Sequence, residues 1–163
     1  MGKIEERISH LIADIEELRI TAEKSQVAHT MGLKYTQLLD ELDLSNKKNL
    51  PILVKTSKNV VAAYLEYLRD RVSIIRKVSP ATADRLDSQI NYHEQLANYA
   101  ISIFEKAKTP KQLDKMTKTL EFQQRMNELA LNALRVQEAV ETCYNCLIDT
   151  ITFLESKTFS TTN

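Results

Sequence analysis

Residues that interrupt helices are scarce in this chain and stand at only a few places. Its 163 residues include two glycines and three prolines, whereas average proteins contain roughly 7% glycine and 5% proline. A sheet protein needs such residues in its many turns. The prolines, Pro51, Pro80 and Pro110, each stand where the first turn of a helix tolerates proline. The sequence therefore predicts an all-α protein with helices beginning near the N-terminus and at these prolines.

Apolar residues near the N-terminus recur at alternating steps of four and three, which is the pattern of a coiled-coil seam. They are Ile4, Ile8, Leu11, Ile15, Leu18 and Ala22. The pattern weakens at Ser25 and His29 and then resumes, with Gly32 as a predicted kink or change of the buried face. The later apolar positions are Met31, Tyr35, Leu38 and Leu42. We predict a first helix over about residues 3 to 42.

Three further helices follow from the same reasoning, over about residues 51 to 77, 80 to 107 and 110 to 157. Short connections favour antiparallel neighbours, so the chain is predicted to form an up-down-up-down four-helix bundle. Residues 1 to 157 make one helical-bundle domain, and residues 158 to 163 form a disordered tail.

Two of the helix starts carry capping signals. Ser79 precedes Pro80, and a serine is a preferred N-cap residue. Thr109 precedes Pro110 and is followed three residues later by Gln112, so the side chain of Gln112 is predicted to reach back to the amide of Thr109 in a capping box.

The predicted helices differ in length, and this difference implies a protruding stalk. At 1.5 Å per residue the first and fourth helices are roughly 60 to 70 Å long, and the middle two only about 40 Å. In an antiparallel order the loops near residues 45 and 109 lie at one end. The surplus of the terminal helices must then project past the turn at Ser79 and pair as an antiparallel stalk.

The C-terminal half of the stalk is apolar over more than one stripe, so a two-helix stalk cannot cover it. We expect two stalks to meet in an intermolecular four-helix bundle, giving a homodimer with twofold symmetry. The predicted interface consists of Ile4, Ile8, Leu11, Val140, Tyr144, Leu147, Ile148, Ile151 and Leu154. Two alternatives stay open: kinks that fold the surplus back into a compact monomer, and a groove for another protein's helix.

Charge is balanced overall but unevenly placed. Residues 1 to 44 have a net charge of −4, residues 45 to 118 of +7 and residues 119 to 163 of −3. The lysines expected around one tip of the bundle are Lys47, Lys48, Lys55, Lys106, Lys108, Lys111 and Lys115. Such a tip is a candidate for an anionic partner, either a membrane or a nucleic-acid backbone. Lysines also favour helix ends and loops for solvation alone.

Reactive side chains form no strong motif. Cys143 and Cys146 have the Cys-x-x-Cys spacing of zinc and redox sites, but no second pair occurs and the position is deep in a helix. Packing is the favoured interpretation, and a metal site shared with His10 the alternative. His93 is a core position in its helix, where we expect a buried hydrogen-bonded side chain, with a ligand or a pH switch as alternatives. Gln123, Gln124 and Gln137 are interpreted as polar layers of the core.

Glycine-rich phosphate loops, nucleophile elbows and metalloprotease motifs do not occur. We therefore expect a non-catalytic interaction or scaffold module that self-associates, without a cofactor. The alternatives are an adaptor that binds an anionic surface and a metal- or redox-responsive bundle. Without a secretory signal or a membrane-spanning stretch in the sequence, a cytoplasmic location is expected.

Overall fold

The computed structural model describes the backbone of residues 2 to 160 and the side chains of most of them. This part of the chain forms an all-α bundle and contains no β-strand. The helices are α1 (Gly2–Asp40), α2 (Leu50–Arg76), α3 (Pro80–Lys106), α4 (Pro110–Thr117) and α5 (Leu120–Ser160), with a 3-10 turn at Lys47–Asn49. The predicted fold class is confirmed.

The predicted helix starts agree with the structure in most respects. The hydroxyl oxygen of Ser79 accepts a hydrogen bond from the amide of Thr82 at 3.4 Å, and that of Thr109 accepts one from the amide of Gln112 at 3.1 Å. The predicted capping box is wrong in one detail. The side-chain oxygen of Gln112 accepts from the amide of Lys108 at 2.8 Å, one residue before the predicted donor.

The predicted fourth helix is two helices rather than one. The chain leaves the helical conformation at Lys118 and Thr119, and the hydroxyl oxygen of Thr119 accepts a hydrogen bond from the amide of Phe122 at 3.2 Å. Threonine side chains compete with the helical backbone for hydrogen bonds, which favours such a cap. At its other end α5 continues to Ser160, so helix replaces the predicted tail over residues 158 to 160; residues 161 to 163 lie outside the described residues.

Helix α1 is continuous, and beyond Ala22 the residues that it buries differ in part from the predicted ones. Ser25 and Ala28 are buried, and the hydroxyl of Ser25 donates a 2.9 Å hydrogen bond to the carbonyl of Tyr67 on α2. Met31 and Leu38 are instead 37% and 53% exposed. The prediction that these two continue the buried stripe was wrong, because α1 carries apolar residues on two faces and packs on α2 with the more polar one.

Gly32 lies within the unbroken helix α1. A Cβ atom at Gly32 would lie 3.5 Å from that of Ala63, an ordinary contact between α1 and α2.

The helices follow one another around the bundle: α1 packs on α2, α2 on α3, and α3 on α5, while direct contacts between α1 and α5 are few. Two clusters of buried side chains hold this arrangement. The main cluster joins all four long helices and includes Ala28, Leu68, Val72, Ile90, Val136 and Val140. A smaller one, with Leu50, Leu53, Ala107 and Leu113, closes the end where α1, α2, α3 and α4 meet.

Candidate functional site

Three surfaces are candidate sites: the stalk, a groove between α1 and α5, and the lysine-bearing tip. The stalk begins where α2 ends. An ion pair of 2.8 Å between Lys77 and Glu17 places the start of α1 beyond the end of α2, and Arg19 forms a bidentate pair with Glu155 at 2.6 and 2.7 Å. The first and last helices therefore run antiparallel past the turn between α2 and α3.

The predicted interface residues have different positions in the stalk. Val140 is fully buried in the main core cluster and does not face a second molecule. Tyr144 is half-buried, and the guanidinium carbon of Arg71 lies 4.2 Å from the centre of its ring. Leu147, Ile148 and Ile151 are partly exposed, and Leu154 is exposed. The side chains of Ile4, Ile8 and Leu11 lie outside the described residues.

Phe153 belongs to the apolar segment of α5 but was not among the predicted interface residues. Phe153 is 59% exposed, and its ring contacts the ammonium group of Lys157 at 5.5 Å. On α1, Ile15 and Leu18 are buried as predicted, whereas Ile20 is largely exposed. The stalk thus hides one apolar seam and leaves a second apolar surface open to solvent.

A groove of about 670 Å³ runs between α1 and α5, with α2 and α3 as its floor. Seventeen residues line it, and none of them is a lysine, arginine, aspartate or glutamate. Leu33 on α1 and Leu134 on α5 form its rims and are 59% and 69% exposed. The large side chains of the floor include Val60, Val61, Tyr64 and His93, and α5 contributes Met126 and Leu129 to the lining. The groove exists because α1 packs on α2 without closing onto α5.

Aromatic rings contact one another at tilted angles across the groove. The ring of His29 lies 4.7 Å from that of Tyr67, and the ring of Tyr64 lies 4.9 Å from that of His93. The Tyr64 hydroxyl donates to the carbonyl of Ala133 at 3.1 Å. Burial, reinforced by the negative charge of Glu141, raises the pKa of Tyr64 to about 12, so this residue acts as a neutral donor.

The carboxylate of Glu141 is linked to these aromatic residues by a hydrogen bond from Tyr67. Its Oε1 atom accepts from the Tyr67 hydroxyl at 2.6 Å and from the Gln137 amide at 3.2 Å. The bond from Tyr67 holds the pKa of Glu141 below its usual value, and burial raises the pKa of Tyr67. Arg71 lies over the Tyr67 ring at 4.5 Å. These contacts join α2 to α5 beside the groove.

His93 is buried as predicted, with 7% of its surface exposed, but it lacks the expected hydrogen bond. Its Nδ1 atom is inaccessible and has no hydrogen-bond partner among the described residues. Nε2 makes no hydrogen bond there either, yet it keeps some accessible surface. Burial lowers the pKa of His93, so its imidazole is neutral at pH 7.

The other predicted polar core positions are placed differently. Gln123 and Gln124 are exposed, so their assignment to the core was wrong, and Gln137 is partly buried at the groove.

The lysines of the tip lie around one end of the bundle, where the small core cluster joins the elements that carry them. All seven predicted lysines are exposed, and none forms an ion pair with another described residue. The same end of the bundle has a pocket of about 550 Å³, and its mainly apolar lining includes Leu44, Leu53, Phe104, Leu113 and Phe122.

Cys143 and Cys146 are free thiols, partly exposed and exposed respectively. Counting along both helices from the pair of Arg19 and Glu155 places His10 roughly 27 Å from Cys146 along the stalk, at 1.5 Å per residue. The structure therefore does not bring His10 and the cysteines of one chain together. Among the described side chains, no group of three or more His, Cys, Asp or Glu is arranged to hold a metal ion.

No protein-family model matches the chain, and no curated protein or solved structure matches it significantly. Within the described residues, no helix has both the length and the apolar character needed to cross a bilayer.

Proposed function

We propose that this chain is a non-catalytic interaction module that self-associates through its stalk. The observation that carries the proposal is the apolar surface that the end of α5 leaves open after its own pairing with α1. Phe153 and Leu154 are exposed there, and Leu147, Ile148 and Ile151 are only partly covered. A cytoplasmic location stays a prediction.

The physical reason is that a helix with apolar residues on more than one face needs partners on more than one side. In the stalk the contact described between α5 and α1 is the ion pair of Arg19 with Glu155, which covers little apolar surface. A second stalk related by a twofold axis would cover the remaining face with an identical surface, and such isologous contacts are the commonest in homo-oligomers. The result would be a four-helix bundle built from two chains.

Light scattering on the purified protein tests the proposal. At micromolar concentration we expect a mass of twice the 18.7 kDa chain. The substitution Phe153→Asp should convert the dimer to a monomer without unfolding it, because Phe153 is 59% exposed within one chain. Ile151→Asp should have the same effect, since burial of an unpaired charge in the interface costs several kcal/mol, roughly 3 to 5.

A matched control is Ile52→Asp, which changes an exposed isoleucine on α2 at the opposite end of the molecule. It should leave the mass at that of the dimer. A wild-type chain that stays monomeric at micromolar concentration would refute the proposal, as would a dimer that survives both stalk substitutions with helicity unchanged.

The tip supports a second candidate function, the binding of an anionic surface. Its two segments, residues 41 to 58 and 104 to 118, contain nine lysines and four carboxylates, a net charge of +5. They enclose the apolar pocket of the tip, so a partner could combine charge attraction with apolar contact.

Sedimentation with anionic and with neutral phospholipid vesicles tests this second candidate. Binding should require the anionic lipid, weaken steeply as salt is added, and decrease in the double variant Lys108→Glu, Lys111→Glu. The matched control is the double variant Lys24→Glu, Lys34→Glu, which makes the same charge change on α1. Binding that is independent of salt, or equal loss in both double variants, would contradict a role for the tip.

A further inference from the structure

We propose that the groove between α1 and α5 binds a neutral, mainly apolar small molecule that carries one hydroxyl group, with His93 as its hydrogen-bond partner. This site is separate from the stalk and does not depend on self-association.

The size and lining of the groove fit such a ligand. Its volume of about 670 Å³ lies within the range of roughly 300 to 1,000 Å³ that is usual for small-molecule sites. Side chains of four helices line it, and most of them are apolar, as in known sites of this class.

The polar groups of the lining identify the hydrogen-bonding position. Tyr64 and Tyr67 already donate their hydroxyl protons, to Ala133 and Glu141 respectively, and the Thr36 hydroxyl donates to the Gly32 carbonyl at 2.9 Å. The two lining histidines, His29 and His93, have no hydrogen bond to a described residue, and of the two His93 is more than nine-tenths buried whereas His29 is only partly buried. Nδ1 is enclosed by protein, so a ligand can reach the ring only at Nε2, and a hydrogen bond there would satisfy that nitrogen.

The charge and protonation of the site determine which ligand group fits. Neither lysine nor arginine lines the groove, so a carboxylate or phosphate would be buried without such a counter-ion. The imidazole of His93 is neutral, and its accessible Nε2 atom either donates or accepts depending on the tautomer. A hydroxyl group can do both, so it satisfies either tautomer.

Displacement of the neutral dye Nile red tests the proposal on the full chain. The dye should become fluorescent on binding to the wild-type protein, and decan-1-ol should displace it. Decanoate has the same chain length but a negative charge that the groove would bury without a lysine or arginine beside it, so we expect it to be at least roughly tenfold weaker.

Two variants locate the ligand. Ala133→Leu fills the groove from α5 and should abolish dye binding, whereas the matched control Ala81→Leu, at an exposed position near the start of α3, should bind as the wild type does. His93→Phe keeps a ring against Tyr64 but removes both nitrogens, and should weaken decan-1-ol roughly tenfold.

Each outcome decides the proposal. Absence of dye binding to the wild type, or equal binding by Ala133→Leu, would overturn the groove as the site. Unchanged displacement by decan-1-ol in a folded His93→Phe variant, or decanoate as strong as the alcohol, would overturn the assigned ligand class. Should His93→Phe fail to fold, the comparison of Ala133→Leu with Ala81→Leu and of alcohol with carboxylate remains decisive.

Discussion

For the substitution Ser25→Leu, the sequence pattern and the structure predict opposite effects on stability. The heptad pattern weakens at Ser25, so leucine there should complete an apolar stripe and stabilise the bundle. In the structure Ser25 is fully buried between α1 and α2, and its hydroxyl donates to the Tyr67 carbonyl at 2.9 Å. The packing of α1 on α2 therefore predicts that Ser25→Leu destabilises the protein.

The magnitude follows from two contributions. Loss of the buried hydrogen bond costs about 1 kcal/mol, and the Tyr67 carbonyl keeps its helical bond within α2. Forcing a larger side chain into a filled site costs a further 1 to 3 kcal/mol or so. The free energy of unfolding should fall by about 2 to 4 kcal/mol, which in a chain of this size lowers the Tm by roughly 5 to 15 °C.

Urea unfolding followed by circular dichroism measures this change, with Ser25→Ala and Val27→Leu as companions. Ser25→Ala removes only the hydrogen bond and should cost about 1 kcal/mol. Val27→Leu changes an exposed neighbour on α1 and should stay within about 0.5 kcal/mol of the wild type. A Ser25→Leu variant as stable as the wild type would refute the assignment of Ser25 to the packed face.

Three further predictions concern local features. Gly32→Ala should raise the free energy of unfolding, measured by urea titration, by about 0.5 to 1 kcal/mol. The substitution removes a glycine from a helix, and the added Cβ lies at an ordinary contact distance of 3.5 Å from that of Ala63. A loss of stability would contradict this contact. Thr119→Ala should lower the same quantity by about 1 kcal/mol through loss of the cap on the Phe122 amide, and no change would show that the cap contributes nothing. Folding lowers the pKa of His93 from 6.5, so the stability that depends on its neutral form is fully present above pH 6.5 and is lost as the pH falls below it. The free energy of unfolding measured from about pH 7 to 5 should therefore decline more steeply in the wild type than in His93→Phe. Equal declines in the two proteins would contradict this role of His93.

Much of the fold could be predicted from local sequence patterns, because the capping and the start of a helix depend on residues that are neighbours in the sequence. Thr109 and Ser79 cap helices as expected, and Ile15 and Leu18 are buried in the predicted seam. The cap at Thr119 was missed, since Thr117 and Thr119 flank Lys118 without a proline or glycine to mark a break.

The candidate sites were predictable to different degrees. The stalk and the tip follow from helix lengths and antiparallel order, so the sequence indicated where both lie. The groove did not follow, because it depends on how far α1 stands from α5 and on the rotation of each helix. The missing hydrogen bond of His93 could not be predicted either, since it depends on what the neighbouring helices place beside the ring.

The sequence by itself determined that this protein is a bundle of long antiparallel helices with an apolar stalk and a lysine-bearing tip. Only the tertiary structure decided which face of α1 is buried. Exposed apolar residues Ile20, Val27, Met31 and Leu38 recur on α1 at steps of seven, four and seven, as regular a stripe as the buried one. Complementarity to α2, where Ser25 finds the Tyr67 carbonyl and Gly32 admits Ala63, selects between the two faces.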